Sequence, residues 1–186
     1  MHWNRHLPLA GTHAFLSPSN YHWVNYTDDK LEAAFSRAQA AKRGTDLHAF
    51  AHEAIRLGMR LPTRKTTVNL YVNDGIGYRM TPEQTLFYSV NCYGHADTIA
   101  FRRNFLRIHD LKTGETVASE HQLEVYAALF CLEYGINPFT IQIELRLYQL
   151  DEVRVFEPEA DVILHIMDRI KTFDKMINQW REEELQ

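Results

Sequence analysis

Residues 94–114 read GHADTIAFRRNFLRIHDLKTG, and the way this stretch pairs with itself decides the fold. Asp97–Phe101 and Phe105–His109 are short apolar-rich runs, and the polar Arg102, Arg103 and Asn104 between them predict an antiparallel hairpin. Closing that hairpin brings Asp97 near Asp110. Strand side chains alternate faces, so Asp110 and Lys112 share one face while Leu111 turns toward the core. Two carboxylates with an ammonium beside them suit a hard cation such as Mg²⁺ or Mn²⁺, which takes oxygen ligands. Taken alone, Asp110-Leu111-Lys112 is a common tripeptide that more often marks the solvated end of an edge strand, so the rest of the chain has to decide.

Outward from the hairpin, the periodicity predicts an α/β order. Asp28–Leu61 reads as helix with an interruption near Gly44, where Thr45 can cap a second helix whose apolar stripe is Leu47, Phe50, Ala51, Ala54 and Leu57. In residues 62–83, Val68–Val72 is strand-like and Asp74-Gly75 turn-like, with a helical or loop insert as the other reading. Thr85–Asn91 reads as a strand feeding Asp97, which makes three consecutive strands. From Ser119 the period turns helical, with Leu123, Tyr126, Ala127, Phe130 and Cys131 on one face until Gly135, and Gln122 lies one turn from Tyr126. Thr140–Leu147 and Glu152–Phe156 read as strands, and about residues 158–184 as an amphipathic closing helix ending in the solvated run Glu182–Glu184.

Four segments in order carry a family resemblance: Gly44-Thr45-Asp46-Leu47-His48, Gly94-His95-Ala96-Asp97, Asp110-Leu111-Lys112 and Gln122-Leu123-Glu124-Val125-Tyr126. Over roughly residues 40–157 the chain resembles the PD-(D/E)XK nucleases, in particular the RecB-type and phage exonuclease branch. Ala96 stands where the superfamily's name has proline, and Asp110 where many members have glutamate. The resemblance implies a restriction-endonuclease-like core with a central mixed sheet flanked by helices. It implies one or two Mg²⁺ or Mn²⁺ ions on His48, Asp97, Asp110 and the Leu111 backbone carbonyl. Asp97, Asp110 and Lys112 would be catalytic, with Gln122 and Tyr126 orienting the lysine, the DNA backbone or water. Phe15–Trp23 resembles the Ser-x-Ser segment with which many of these exonucleases begin, giving Ser17 and Ser19 as phosphate contacts and Trp23 as a base-stacking surface; a helix cap followed by a core tryptophan explains the same residues. The iron–sulfur subset of these nucleases uses four cysteines, and this chain has Cys92 and Cys131 only, so no cluster is expected.

His48 and His52, a helical turn apart, have the spacing of a zinc-binding pair. However, His52-Glu53-Ala54-Ile55-Arg56 lacks the second histidine of a metalloprotease helix and no third ligand is evident, so His52 reads as exposed or structural.

With 186 residues, 45% hydrophobic, the chain is expected to form one domain over 1–186, its N-terminal helical part at about 15–61. No stretch approaches a membrane span, and Met1–His6 lacks the pattern of a signal peptide, so a cytoplasmic protein is expected, in the host cytoplasm if phage-encoded. The two cysteines are expected to be reduced. The net charge of −4 hides an asymmetry: residues 1–112 hold 14 Lys and Arg against 9 Asp and Glu, residues 113–186 hold 6 against 15. The basic half contains Arg43, Arg102 and Arg103, which are candidates to line a path for DNA phosphates. The expected activity is metal-dependent hydrolysis of DNA, most simply by an exonuclease of recombination, repair or genome processing. A non-catalytic relative that binds DNA or protein and a small-phosphodiester hydrolase are the alternatives. A homo-oligomer or a single-strand-binding or recombination partner is compatible with the resemblance; no membrane partner is expected.

Overall fold

A computed structural model describes residues 14–184, so the expectation drawn from Met1–His6 lies outside the described residues. The chain divides into two compact units, 1–46 and 47–186. The first unit holds a short 3-10 helix, Pro18–Asn25, and the start of a long helix, α1 (Asp28–Arg56). Ser17 caps the 3-10 helix, its hydroxyl accepting from the Ser19 N–H at 3.3 Å, and the Trp23 indole donates to the Ser17 carbonyl at 3.1 Å.

α1 is continuous through Gly44, which corrects the expected interruption. The Thr45 hydroxyl donates to the Ala41 carbonyl at 3.2 Å, so it bonds back along the helix instead of capping a new one. The helix stops five residues before Leu61. Gly58, at φ +66°, lets the Met59 N–H reach the Ala54 carbonyl and the Gly58 N–H the Ile55 carbonyl, the paired bonds of a Schellman cap. The buried stripe is also rotated from the expected one: Ala51, His52, Ala54 and Ile55 are buried while Leu47, Phe50 and Leu57 are exposed.

The second unit is built on a five-stranded sheet in the order β1 (Thr81–Ser89), β2 (Cys92–Arg102), β3 (Phe105–Leu111), β4 (Gln142–Gln149) and β5 (Glu152–Phe156). The first three strands form an antiparallel meander, β3 and β4 are parallel, and β5 returns antiparallel, so the sheet is mixed as expected. Arg103 and Asn104 both have positive φ, 51° and 61°, which gives the two-residue turn whose twist suits a hairpin. Parallel pairing of β3 with β4 requires a crossover, and α3 (His121–Tyr134), which follows α2 (Thr67–Gly77) in the chain, supplies it. Pro82 is tolerated because β1 is an edge strand.

α3 packs on β1 to β4, and α4 (Ala160–Glu184) packs on α3. Their shared core includes Leu86, Ile108, Leu123, Ala127, Leu145, Leu147 and Ile163. A second core joins the end of α1 to α2 and the sheet through Ala51, Ile55, Tyr71, Val72, Leu111 and Tyr148. Thus the strand-like Val68–Val72 is helix, and Asp74-Gly75 continues it. Its first turn is fixed from the far side of the sequence: Asp151, in the β4–β5 turn, accepts from the Thr67 N–H at 2.7 Å and from the Thr67 hydroxyl at 3.0 Å. Gly75 is where Ile55 comes against α2, and an added Cβ there would meet Ile55 Cδ1 at 2.7 Å. Among the described residues no helix is long and apolar enough to cross a membrane.

Candidate functional site

The hairpin places its two aspartates where regular pairing stops. The last β2–β3 pair is Thr98 with His109, and Asp97 is absent from both of its ladders, as is Glu83 across on β1. Glu83 has φ 53°, a left-handed backbone that breaks strand geometry at that step. Ala96 and Ile99, three apart, both enter the core under α3, so simple alternation fails around Asp97. Its carboxylate turns along the sheet end instead, where Oδ2 accepts from the Leu111 N–H at 2.9 Å.

Asp110 is 3% exposed. Lys112 Nζ donates to its Oδ1 at 3.1 Å and stands 3.0 Å from Oδ2, without hydrogen-bond geometry at the second oxygen. The same Nζ donates to Gln122 Oε1 at 2.8 Å, and Gln122 Nε2 donates to the Tyr126 hydroxyl at 3.3 Å. Asp110, Lys112, Gln122 and Tyr126 therefore form one continuous polar chain from β3 to α3. Gly94 is needed for it, because an added Cβ would meet Tyr126 Cε1 at 2.9 Å.

α1 closes the other side. His48 Nδ1 lies 3.6 Å from Asp97 Oδ2. Burial lowers the His48 pKa, opposed by the Asp97 charge and by a hydrogen bond to the Leu111 backbone, and assisted by His52 and Lys112. Burial, then the Asp97 charge, pushes the Asp110 carboxyl up to about 6, with Lys112 holding it down. The buried Asp110 carboxyl thus resists ionising beside Asp97, and the Lys112 ammonium offsets part of that.

The expected His48, Asp97, Asp110, Leu111, Lys112, Gln122 and Tyr126 are thus brought to one end of the sheet. Of the expected DNA contacts, Arg102 and Arg103 are not. Arg102, the last residue of β2, and Arg103, in the turn beyond it, are exposed, and Arg102 is five residues or roughly 17 Å of strand from Asp97. Arg102 Nη2 donates to the Arg79 carbonyl at 3.1 Å. Ser17, Ser19 and Arg43 belong to the first unit; Ser17 is buried and spends its hydroxyl on the cap, whereas Ser19 and Arg43 are exposed.

Three residues at this end give little sign of themselves in the sequence. His52 is buried with its Nδ1 3.1 Å from Glu83 Oε1. Tyr71, fully buried, has its phenol pKa raised well above 10.0 by burial and next by the Asp97 charge, so it stands as a neutral hydroxyl. The signal for His52 is its position one turn beyond His48. Glu83 and Tyr71 carry no local signal, since the first comes from an edge strand and the second from a helix disguised as a strand.

The donor types suit a divalent cation: the partly exposed Asp97 carboxylate and His48 ring lie 3.6 Å apart, and Asp110 Oδ2 is buried without a hydrogen bond beside the Lys112 ammonium. Compared with protein-family models, curated proteins and solved structures, the chain matches none.

Proposed function

We propose that the chain is a divalent-metal-dependent phosphodiester hydrolase acting on DNA, of the phage-type exonuclease kind within the PD-(D/E)XK nucleases. The supporting observation is the Asp110–Lys112–Gln122–Tyr126 chain set beside Asp97 and His48. It assembles, from four separated segments, the carboxylates, cation and orienting groups that such a reaction uses.

Asp97, Asp110, His48 and the Leu111 carbonyl would hold Mg²⁺ or Mn²⁺, which supplies positive charge to a phosphate oxygen and makes water a better nucleophile near neutral pH. Lys112 keeps its ammonium beside Asp110, with Gln122 fixing the direction of Nζ. That ammonium stabilises the extra charge of a pentacoordinate phosphoryl transition state more than the ground state, which is the requirement for a gain in kcat. Tyr126 restrains Gln122 in turn. An open groove of about 360 Å³, lined by Leu47, Thr67, Lys112, Gly114 and Asp151, runs alongside and offers room for a strand leaving the site.

The test is release of nucleotides from end-labelled linear duplex and single-stranded DNA, with Mg²⁺, Mn²⁺ or a chelator, by wild type, Asp110→Ala and Lys112→Ala. Metal-dependent release lost in both variants supports the proposal; an inert wild type with both metals and both substrates refutes it.

A further inference from the structure

His52 is not accounted for by the hydrolytic reading. It is 8% exposed, and neither ring nitrogen makes a hydrogen bond; Glu83 Oε1 is near Nδ1 without the required geometry. Its ring neighbours are His48, edge-on at 5.9 Å, and Tyr71 at 6.4 Å. Leaving a buried imidazole without partners is destabilising, because it loses its water hydrogen bonds and gains none. A plain apolar residue at this position, beside the buried Ala51 and Ile55, would avoid that cost. What the ring does have is company: His48, His52 and Asp97 each present a ligand atom, all within 4.8 Å of one another. His48 and His52 reach this arrangement because they are four apart on α1, and Asp97 because its side chain leaves the ladder.

We infer that His48, His52 and Asp97 form a nitrogen-rich cation site that takes a first-row transition ion, such as Co²⁺, Zn²⁺ or Mn²⁺, in preference to Mg²⁺. Two imidazoles and one carboxylate leave coordination positions open, the arrangement of a catalytic or exchangeable site and not of a closed structural one. Imidazole ligands disfavour Mg²⁺, which dehydrates reluctantly and prefers oxygen. Asp97 and His48 are thereby shared between this site and the metal set of the hydrolytic reading, and His52 is the ligand this inference adds. The inference rests on the geometry of α1 against β2, and does not require that DNA be the substrate.

The experiment uses the full chain stripped with a chelator and titrated with Co²⁺ or Mn²⁺. Pulsed electron paramagnetic resonance of the Mn²⁺ form should show couplings from two imidazole nitrogens, and Mg²⁺ at about hundredfold excess should not displace Co²⁺. His52→Gln should lose one imidazole coupling and bind Co²⁺ at least about tenfold more weakly. Coupling to a single imidazole or none in the wild type overturns the inference, as does unchanged Co²⁺ affinity in His52→Gln. If His52→Gln does not fold, the wild-type spectrum and the Mg²⁺ competition decide. Nuclease assays in Mg²⁺ and in Mn²⁺ are read separately, so a protein inert with both metals but showing a two-imidazole spectrum would refute the hydrolytic reading and leave this one standing.

Discussion

The Leu111 N–H donates to Asp97 Oδ2 at 2.9 Å, so the end of β3 is bound to a side chain of β2 at the point where backbone pairing has ceased. The bond fixes one oxygen of Asp97 while the residues on either side of Leu111, Asp110 and Lys112, are tied through Gln122 to α3. One backbone position thus sets the spacing of three charged groups.

Asp110 should cost stability in the metal-free protein. Its folded pKa of about 6 exceeds the ordinary 3.8, so between those values the folded state holds a proton that the unfolded chain has released. Stability therefore falls as pH rises through that window, and the whole cost is present near neutral pH. Asp110→Asn should raise the unfolding free energy by about 1–3 kcal/mol in chelator. Denaturant melts at several pH values would show the gain shrinking toward pH 3.8.

On the proposed hydrolytic function, Gln122 acts through the Lys112 Nζ that donates to it at 2.8 Å. Gln122→Ala should lower kcat for DNA hydrolysis by about tenfold or more with little change in KM, since a misdirected ammonium loses transition-state contact and not binding. Gln122→Glu, which keeps an acceptor for Nζ, should recover much of the rate. Steady-state kinetics on one duplex substrate would show whether kcat moves alone.

His109 gives the opposite pH trend to Asp110. It is fully buried, its Nδ1 3.2 Å from the Tyr148 hydroxyl, and burial followed by the Arg146 and Arg107 charges holds its pKa well below 6.5. The unfolded chain therefore takes up a proton near 6.5 that the folded protein refuses, and stability should decline as pH falls below that value. In Asp110→Asn, where the other titration is absent, thermal melts should expose this decline, and adding His109→Gln should flatten it.

Gly94→Ala should destabilise the protein by about 1–3 kcal/mol through overpacking, because the new methyl meets Tyr126 at 2.9 Å. A double-mutant cycle with Tyr126→Leu should recover most of that loss if the clash is the cause.

Legibility in the sequence follows locality. The hairpin is readable because its alternation and its Arg103-Asn104 turn lie within the one stretch, and α3 because Gly135, at φ 63°, marks its end. α2 is ambiguous: Val68, Tyr71 and Val72 favour strands intrinsically, and burial of Tyr71, Val72 and Gly75 on one helical face overrides them. The rotation of the α1 stripe is hidden because Leu47, Phe50 and Leu57 are apolar yet exposed, and the buried positions include a histidine. His52 looks partnerless along the chain because its third companion, Asp97, lies 45 residues away on β2 and is claimed first by His48. Arg102 and Arg103 are near the aspartates in sequence, but the extended strand carries them away from the carboxylates, toward the β2–β3 turn.

The cap that Asp151 places on Thr67 spans 84 residues, and this has a consequence for the order in which the molecule is made. An eleven-residue helix is marginal in water without tertiary support, so a chain emerging from the ribosome has no reason to settle α2 until the β4–β5 turn has been synthesised. Tyr71, which backs the carboxylate end of the sheet, waits with it. The cleft would therefore be among the last parts of the protein to take shape during synthesis, completed only once most of the chain is available.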